Sequence, residues 1–339
     1  MLTSLAGMGA VLVPRAVYST PTAGSFDPAA IDAIVGAANA LPQLHTLIVA
    51  SRGEVRIEKA FRGLGPTVPV NVKSVSKTVI ATLVGIAIER ELFTSIDQPI
   101  APLLADKLPA TPDPRLERVT IGNLLSMQAG LERTSGPNYG RWVSSGDWVR
   151  YALSREFVDE PGGRMLYSTG NSHILSALLT KRSGRTTLQL ARDWLGKPLD
   201  INIPPWPRDP QGIYFGGNDM LLSARAMLAF GQLFLNSGTN DGRQIVPKGW
   251  IDQSWTPRTS SPFTGDSYGL GWFIANTQGG EPFYYAWGYG GQMIYVVPHA
   301  ELVIVMTSDA ETLSGRSGYV DQLHDLVRSR IIPSLEAGG

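Results

Sequence analysis

The chain has 339 residues, of which 43% are hydrophobic and 17% charged, with 29 basic residues balancing 29 acidic ones. A chain of that size and composition buries a core large enough for two lobes around a cleft, which excludes disorder, and its zero net charge offers no field to draw in a nucleic-acid backbone. The count of zero cysteines removes disulfides, thiolate metal sites and thiol nucleophiles.

The N-terminal stretch Leu2 to Val13 is apolar and rich in small residues, like the core of an export signal, yet no Arg or Lys precedes it. It resembles the tail of a twin-arginine leader whose basic start lies upstream of Met1. Residues 1–24 are read either as the remnant of such a signal, which implies a periplasmic or exported protein, or as a frayed terminus of a cytoplasmic one. No apolar run reaches the roughly 20 residues needed to cross a bilayer, so membrane insertion is not expected.

From His45 to Phe61 two β-rich runs meet at Arg52-Gly53-Glu54, which predicts a hairpin. After Pro69 the text NVKSVSKTVIATLVGIAIERELF has helical length, Ser and Asn at its entry and few charges inside, which predicts a buried helix starting near Ser74. Between Pro99 and about Tyr214 helical segments are punctuated by Pro and Gly, including Val119–Met127 and Asn171–Lys181. A helix over Leu222–Leu235 is followed by strand-like runs at Leu270–Ala275, Phe283–Ala286, Met293–Val297 and Leu302–Thr307, and an amphipathic helix over Asp321–Leu335 closes the chain. The expected architecture is an α/β (α+β) fold: residues 25–98 and 216–339 build an antiparallel sheet flanked by helices, residues 99–215 form a mostly helical lobe, and the site lies at their interface.

Ser74 and Lys77 stand three residues apart on the predicted helix, one turn from each other on one face. The helix N-terminus and burial both disfavour a protonated Lys77, which makes it a base for the serine hydroxyl. A backbone amide at the same terminus faces a developing oxyanion. The pair alone is common by chance; its surroundings carry the signal. Ser74-Val75-Ser76-Lys77-Thr78, Ser95-Ile96-Asp97-Gln98-Pro99-Ile100, the Val119–Leu131 block and Pro161-Gly162-Gly163-Arg164-Met165-Leu166-Tyr167-Ser168 follow one another in an order that resembles a single family.

From about Ser51 to Ser308 the chain resembles the serine β-lactamase and penicillin-binding-protein group: class C β-lactamases, D-alanyl-D-alanine peptidases, family VIII carboxylesterases and, most closely, the nylon-oligomer (6-aminohexanoate-dimer) hydrolases. The resemblance implies a β-lactamase/DD-peptidase-like fold, with Ser74 as acylated nucleophile and Lys77 as its activator. The family's Tyr-x-Asn motif reads here Tyr167-Ser168-Thr169. Tyr167 is expected to shuttle protons, its charged form favoured by the nearby Lys77. Thr169 supplies a hydroxyl where the family has a substrate-touching amide.

The family's Lys/His-Thr-Gly motif is replaced by Ala286-Trp287-Gly288-Tyr289, with no cation to pair a lactam or peptidoglycan carboxylate. Gly288 permits close backbone approach, and the Tyr289 amide is the expected second oxyanion donor. Trp287 either walls an acyl pocket or packs in the sheet. The resemblance implies that Asn218, in Gly216-Gly217-Asn218-Asp219, is a substrate contact; the residues themselves also read as a turn and helix cap. Tyr139, Trp142 and Trp148 form either an apolar lid or lobe core.

Gly265-Asp266-Ser267-Tyr268-Gly269 satisfies the Gly-x-Ser-x-Gly signature, but a loop precedes it and strand-like sequence follows, where a nucleophile elbow needs strand then helix. The four histidines, His45, His173, His299 and His324, show no metal-ligand spacing. The reading is a serine hydrolase acting through an acyl-enzyme on small-molecule esters or linear amides, with no cofactor or metal implied and the oligomeric state undetermined. A β-lactamase or D-alanyl-D-alanine peptidase, and a penicillin-binding-like scaffold without turnover, are the alternatives.

Overall fold

A computed structural model describes residues 27–311 and 318–336, so Leu2–Val13 and the export reading lie outside the described residues. Helix α1 (Pro28–Asn39), capped by the Asp27 carboxylate, leads into the hairpin of β1 (Leu44–Ser51) and β2 (Glu54–Ala60). Arg52 and Gly53 both take positive φ, 53° and 78°, the conformation a tight two-residue hairpin turn requires. Short β3 (Val70–Asn71) then delivers the chain to α2 (Val75–Glu89), buried from Val75 through Ala87.

Every regular element from Pro102 to Gly196 is helical, including α3 (Ile121–Leu125), α4 (Tyr139–Val143), α5 (Trp148–Leu153), α6 (Thr169–Ser183) and α7 (Thr187–Ala191). Next, β4 (Leu221–Leu222) pairs with β3, and α8 (Ala224–Leu235) starts on its Ser223 cap. After the small ribbon of β5 (Thr239–Asn240) and β6 (Arg243–Gln244) and helix α9 (Lys248–Ser254) come β7 (Thr259–Ser260), β8 (Ser267–Tyr268), β9 (Phe273–Asn276), β10 (Pro282–Gly288), β11 (Gln292–Val297) and β12 (Leu302–Ser308). Helices α10 (Tyr319–Asp325) and α11 (Ile332–Glu336) end the described chain.

The main sheet is antiparallel with strand order β2-β1-β12-β11-β10-β9-β8-β7, so the N-terminal hairpin completes a sheet built by the C-terminal third. Side chains alternate across it, as the two-residue period of a strand demands. Ile48, Ile294, Val296, Val303 and Val305 join the core under α2 and α8; Leu47, Val49, Tyr295, Ile304 and Met306 pack on the other face with Ile34 of α1 and Leu323 of α10. Helix α2 therefore lies between the sheet and the helical segments, touching α6 on one side and β10 and β11 on the other. This places the start of α2 at a junction of three elements.

Ser267 lies in β8, between β7 and β9, so the Gly-x-Ser-x-Gly text is a strand in an antiparallel ladder. Trp142 and Trp148 are buried with His173 and Phe215 in an aromatic cluster, which assigns them to the lobe core.

Candidate active site

The turn from β3 into α2 is held in an unusual shape. Lys73, directly before Ser74, has φ of 49°, a left-handed conformation costly for a residue with a side chain. Local polar contacts stabilise it: the Lys73 amide donates to Asn71 Oδ1 at 2.9 Å, and Ser76 Oγ donates to the Lys73 carbonyl at 2.5 Å. Asn71 in turn donates to Asp219 at 2.8 Å, and the Met220 amide to Ser76 Oγ at 3.2 Å. The strand pair and these side chains clamp the residues that present Ser74 as the cap of α2.

Lys77 reaches back along the helix with Nζ 2.9 Å from Ser74 Oγ. It also donates to the Gly217 carbonyl at 2.5 Å and lies 3.4 Å from Thr169 Oγ1. Burial pulls its pKa from 10.5 down to about 7, against the opposing charge of Asp219. A neutral amine has two N–H donors and one lone pair, and these three neighbours match that count: Gly217 and Thr169 accept, which leaves the lone pair for the Ser74 hydroxyl.

Gly217 reaches Lys77 because its loop lies flush on α6. A Cβ on Gly216 would stand 2.1 Å from the Ser172 carbonyl, and one on Gly217 would stand 2.8 Å from Thr169 Cγ2. Behind the loop, the Gly216 amide faces His173 Nδ1 at 3.4 Å, and His173 Nε2 lies 3.0 Å from Asp209 Oδ2 in a fully buried pair. Asp209 also accepts from the amides of Gln211 and Ile213. His173 is therefore the Nε2–H tautomer, accepting at Nδ1.

Tyr167 sits beside the pair, its ring centroid 5.0 Å from Lys77 Nζ and its hydroxyl a hydrogen-bonding neighbour of Ser74. Its pKa is pushed up to about 12 by burial, only partly offset by Ser74. The expected preference for a phenolate is thereby corrected. Tyr167 stays a neutral phenol at physiological pH, because burial disfavours its charged form by more than the Ser74 hydrogen bond favours it. Thr169 is buried against Lys77 and Ser135, whose Oγ accepts from the Thr169 amide at 2.8 Å and lies 2.9 Å from Thr169 Oγ1.

Ser74 and Tyr167 open onto a cavity of about 590 Å³ whose walls include Phe263, Phe273, Trp287 and Tyr289, with Asp321 among its lining residues. Trp287 thus faces the cavity while its ring also packs on Phe273, 5.7 Å between centroids. Gly288 lies behind the wall: a Cβ there would stand 2.3 Å from the Val72 carbonyl, so the end of β10 presses against the segment that carries Ser74. Among the described residues, neither the Ser74 nor the Tyr289 amide donates to a protein acceptor. Asn218 is not a lining residue; its Nδ2 donates to the Tyr139 hydroxyl at 3.1 Å, and the cap of α8 is Ser223.

The β-lactamase family model matches residues 29–327. The chain belongs to the β-lactamase family. Among solved structures, EstCE1, a hydrolase with promiscuous acyltransferase activity, superposes with a TM-score of 0.71 at 17% identity over 88% of this chain and 98% of that one. A D-stereospecific amidohydrolase from Streptomyces sp. gives 0.69 at 17% over 91% and 99%. A penicillin-binding protein homologue from Caulobacter crescentus gives 0.71 at 16% over 91% and 99%. By sequence, an uncharacterized protein of Alkalihalophilus pseudofirmus is 24% identical over 260 residues, 69% of this chain and 72% of its own length. At these identities the structural matches establish the β-lactamase-like fold, and the family is one of hydrolases.

Several residues of this β-lactamase-family site had no sequence signal that singled them out. The Gly217 carbonyl, Ser135, Asp219, the His173–Asp209 pair, Phe263 and Asp321 come from five separate stretches. Only the Gly216-Gly217 pair hinted at a close backbone approach.

Proposed function

We propose that this protein is a serine hydrolase that works through an acyl-enzyme, a carboxylesterase on small esters with linear amides as its second substrate class. The observation that carries the reading is the contact of a buried Lys77, its pKa lowered to about 7, with Ser74 Oγ at 2.9 Å beside an open cavity. In acylation, the Lys77 lone pair takes the Ser74 proton as Oγ attacks the carbonyl carbon. The Ser74 and Tyr289 amides, which have no protein acceptor among the described residues, donate to the oxyanion. Collapse of the tetrahedral species breaks the bond to the leaving oxygen or nitrogen, which takes the Tyr167 phenolic proton while Tyr167 regains one from Lys77. In deacylation, water loses a proton along the same relay and releases the acid, and Ser74 recovers its hydrogen.

Ester preference rests on charge. Among the described residues, none that lines the cavity is cationic, and the nearest cation in sequence to Ser74, Lys73, pairs with Glu311 at 3.5 Å. A lactam carboxylate in such a cavity would be desolvated without a partner. Hydrolysis of p-nitrophenyl acetate and butyrate tests the reading. Wild type and Ser267→Ala are expected to turn over steadily and Ser74→Ala to lose at least ~10³-fold. No release by wild type, or nitrocefin outpacing every ester, refutes it.

A further inference from the structure

The cavity beside Ser74 has a chemical bias that ester hydrolysis does not require. Its walls present aromatic rings: Phe263 lies nearly perpendicular to both Tyr167, 6.0 Å away at 85°, and Trp287, 6.5 Å away at 85°. Phe263 is 52% exposed and Tyr289 42%, although both are large and apolar in body. Among the described residues, Asp321 in the first turn of α10 is the single charged one in the lining, and it makes no ion pair there. Aromatic rings with one carboxylate among them attract an organic cation through ring quadrupoles and charge together. The same field repels a carboxylate.

We propose that this cavity selects substrates whose leaving group carries an ammonium centre, such as amino-alcohol or choline-type esters, with Asp321 as the specificity-determining charge. The proposal rests on the acyl-enzyme reading above, and Tyr167 decides which half of the substrate is involved. Tyr167 protonates the leaving atom in that reading, and its ring forms one side of the aromatic corner, so the leaving group lies against Phe263, Trp287 and Asp321. The cation is bound, not transformed; the bond cleaved remains the acyl bond at Ser74.

The test compares acetylcholine with 3,3-dimethylbutyl acetate, an uncharged ester of nearly the same shape. Wild type is expected to favour the cation by about tenfold in kcat/KM, and added salt to erode the preference. Asp321→Asn is expected to lose most of that preference while hydrolysing the neutral ester within about twofold of wild type, a pattern that misfolding cannot produce. Equal rates on the two esters in wild type, or an unchanged preference in Asp321→Asn, overturn the proposal. Calorimetric titration of Ser74→Ala protein with acetylcholine needs no turnover and separates this claim from the catalytic one. Saturable binding weakened by Asp321→Asn supports the cation pocket even if no ester is hydrolysed, and absence of binding overturns it.

Discussion

Lys77 Nζ lies 2.5 Å from the carbonyl oxygen of Gly217, a residue 140 positions away in the chain. The contact uses one of the two N–H bonds of a neutral amine and so helps aim its lone pair at Ser74. With a pKa of about 7, Lys77 must lose its proton before it can act as a base. We expect kcat/KM for a neutral ester to rise about tenfold per pH unit below 7 and to level off above it. Asp219 is the charge that opposes the shift, so Asp219→Asn is expected to move the midpoint to lower pH. A pH–rate profile from pH 5 to 9 checks both; a flat profile refutes the assignment of Lys77.

The same shift makes Lys77 a burden on the fold. Its folded pKa, about 7, lies below the value of 10.5 it has when exposed, so the folded chain binds fewer protons between those limits and stability rises with pH across that window. The penalty is complete below about 7, where it amounts to about 5 kcal/mol, and is gone above 10.5. Lys77→Met removes it but leaves Gly217 and Thr169 without their donor, for an expected net gain of about 1–3 kcal/mol at pH 7. Urea denaturation at pH 7 and pH 10 should show the advantage shrinking at the higher pH. Ester turnover by this variant should be lost.

Tyr167→Phe keeps the ring that packs on Phe273 and removes only the proton relay. We expect kcat on alkyl esters to fall by ~10²–10⁴-fold. Esters of p-nitrophenol, whose leaving group departs as an anion, should lose at least about tenfold less. Equal losses on both would mean that the hydroxyl positions Ser74 and does not feed the leaving group.

The His173–Asp209 pair supports the Gly216-Gly217 loop from behind. His173→Ala takes one donor from the buried Asp209 carboxylate and leaves a cavity where the ring packed, and should cost about 3–5 kcal/mol in chemical denaturation. If the pair also holds Gly217 on Lys77, a loosened loop admits water, eases the desolvation of Lys77 and raises the midpoint of the pH–rate profile. A stability loss with an unmoved midpoint would restrict the pair to a structural role.

Much of this site could be read before any coordinates. The three-residue spacing of Ser74 and Lys77 within a long apolar run sufficed to put both on one helix face, and the alternating runs after Leu270 marked the strands that close over it. Tyr167 was reached by resemblance alone, since a tyrosine in a loop carries no periodic signal. Asn218 was singled out by the same resemblance, yet the loop turns its side chain toward Tyr139 and its backbone neighbour Gly217 toward Lys77.

The chain's order of residues determined whatever depends on neighbours along the helix or strand: the hydroxyl–amine pair, the sheet's alternating faces, and the loss of a cation from the third motif. Only the tertiary structure decided how far burial lowers the Lys77 pKa, that Tyr167 stays a phenol, and which charge lines the cavity. Those depend on which distant groups exclude water and which carbonyls converge on one nitrogen, and the electrostatic cost of burial is set by distance in space, which sequence separation does not encode.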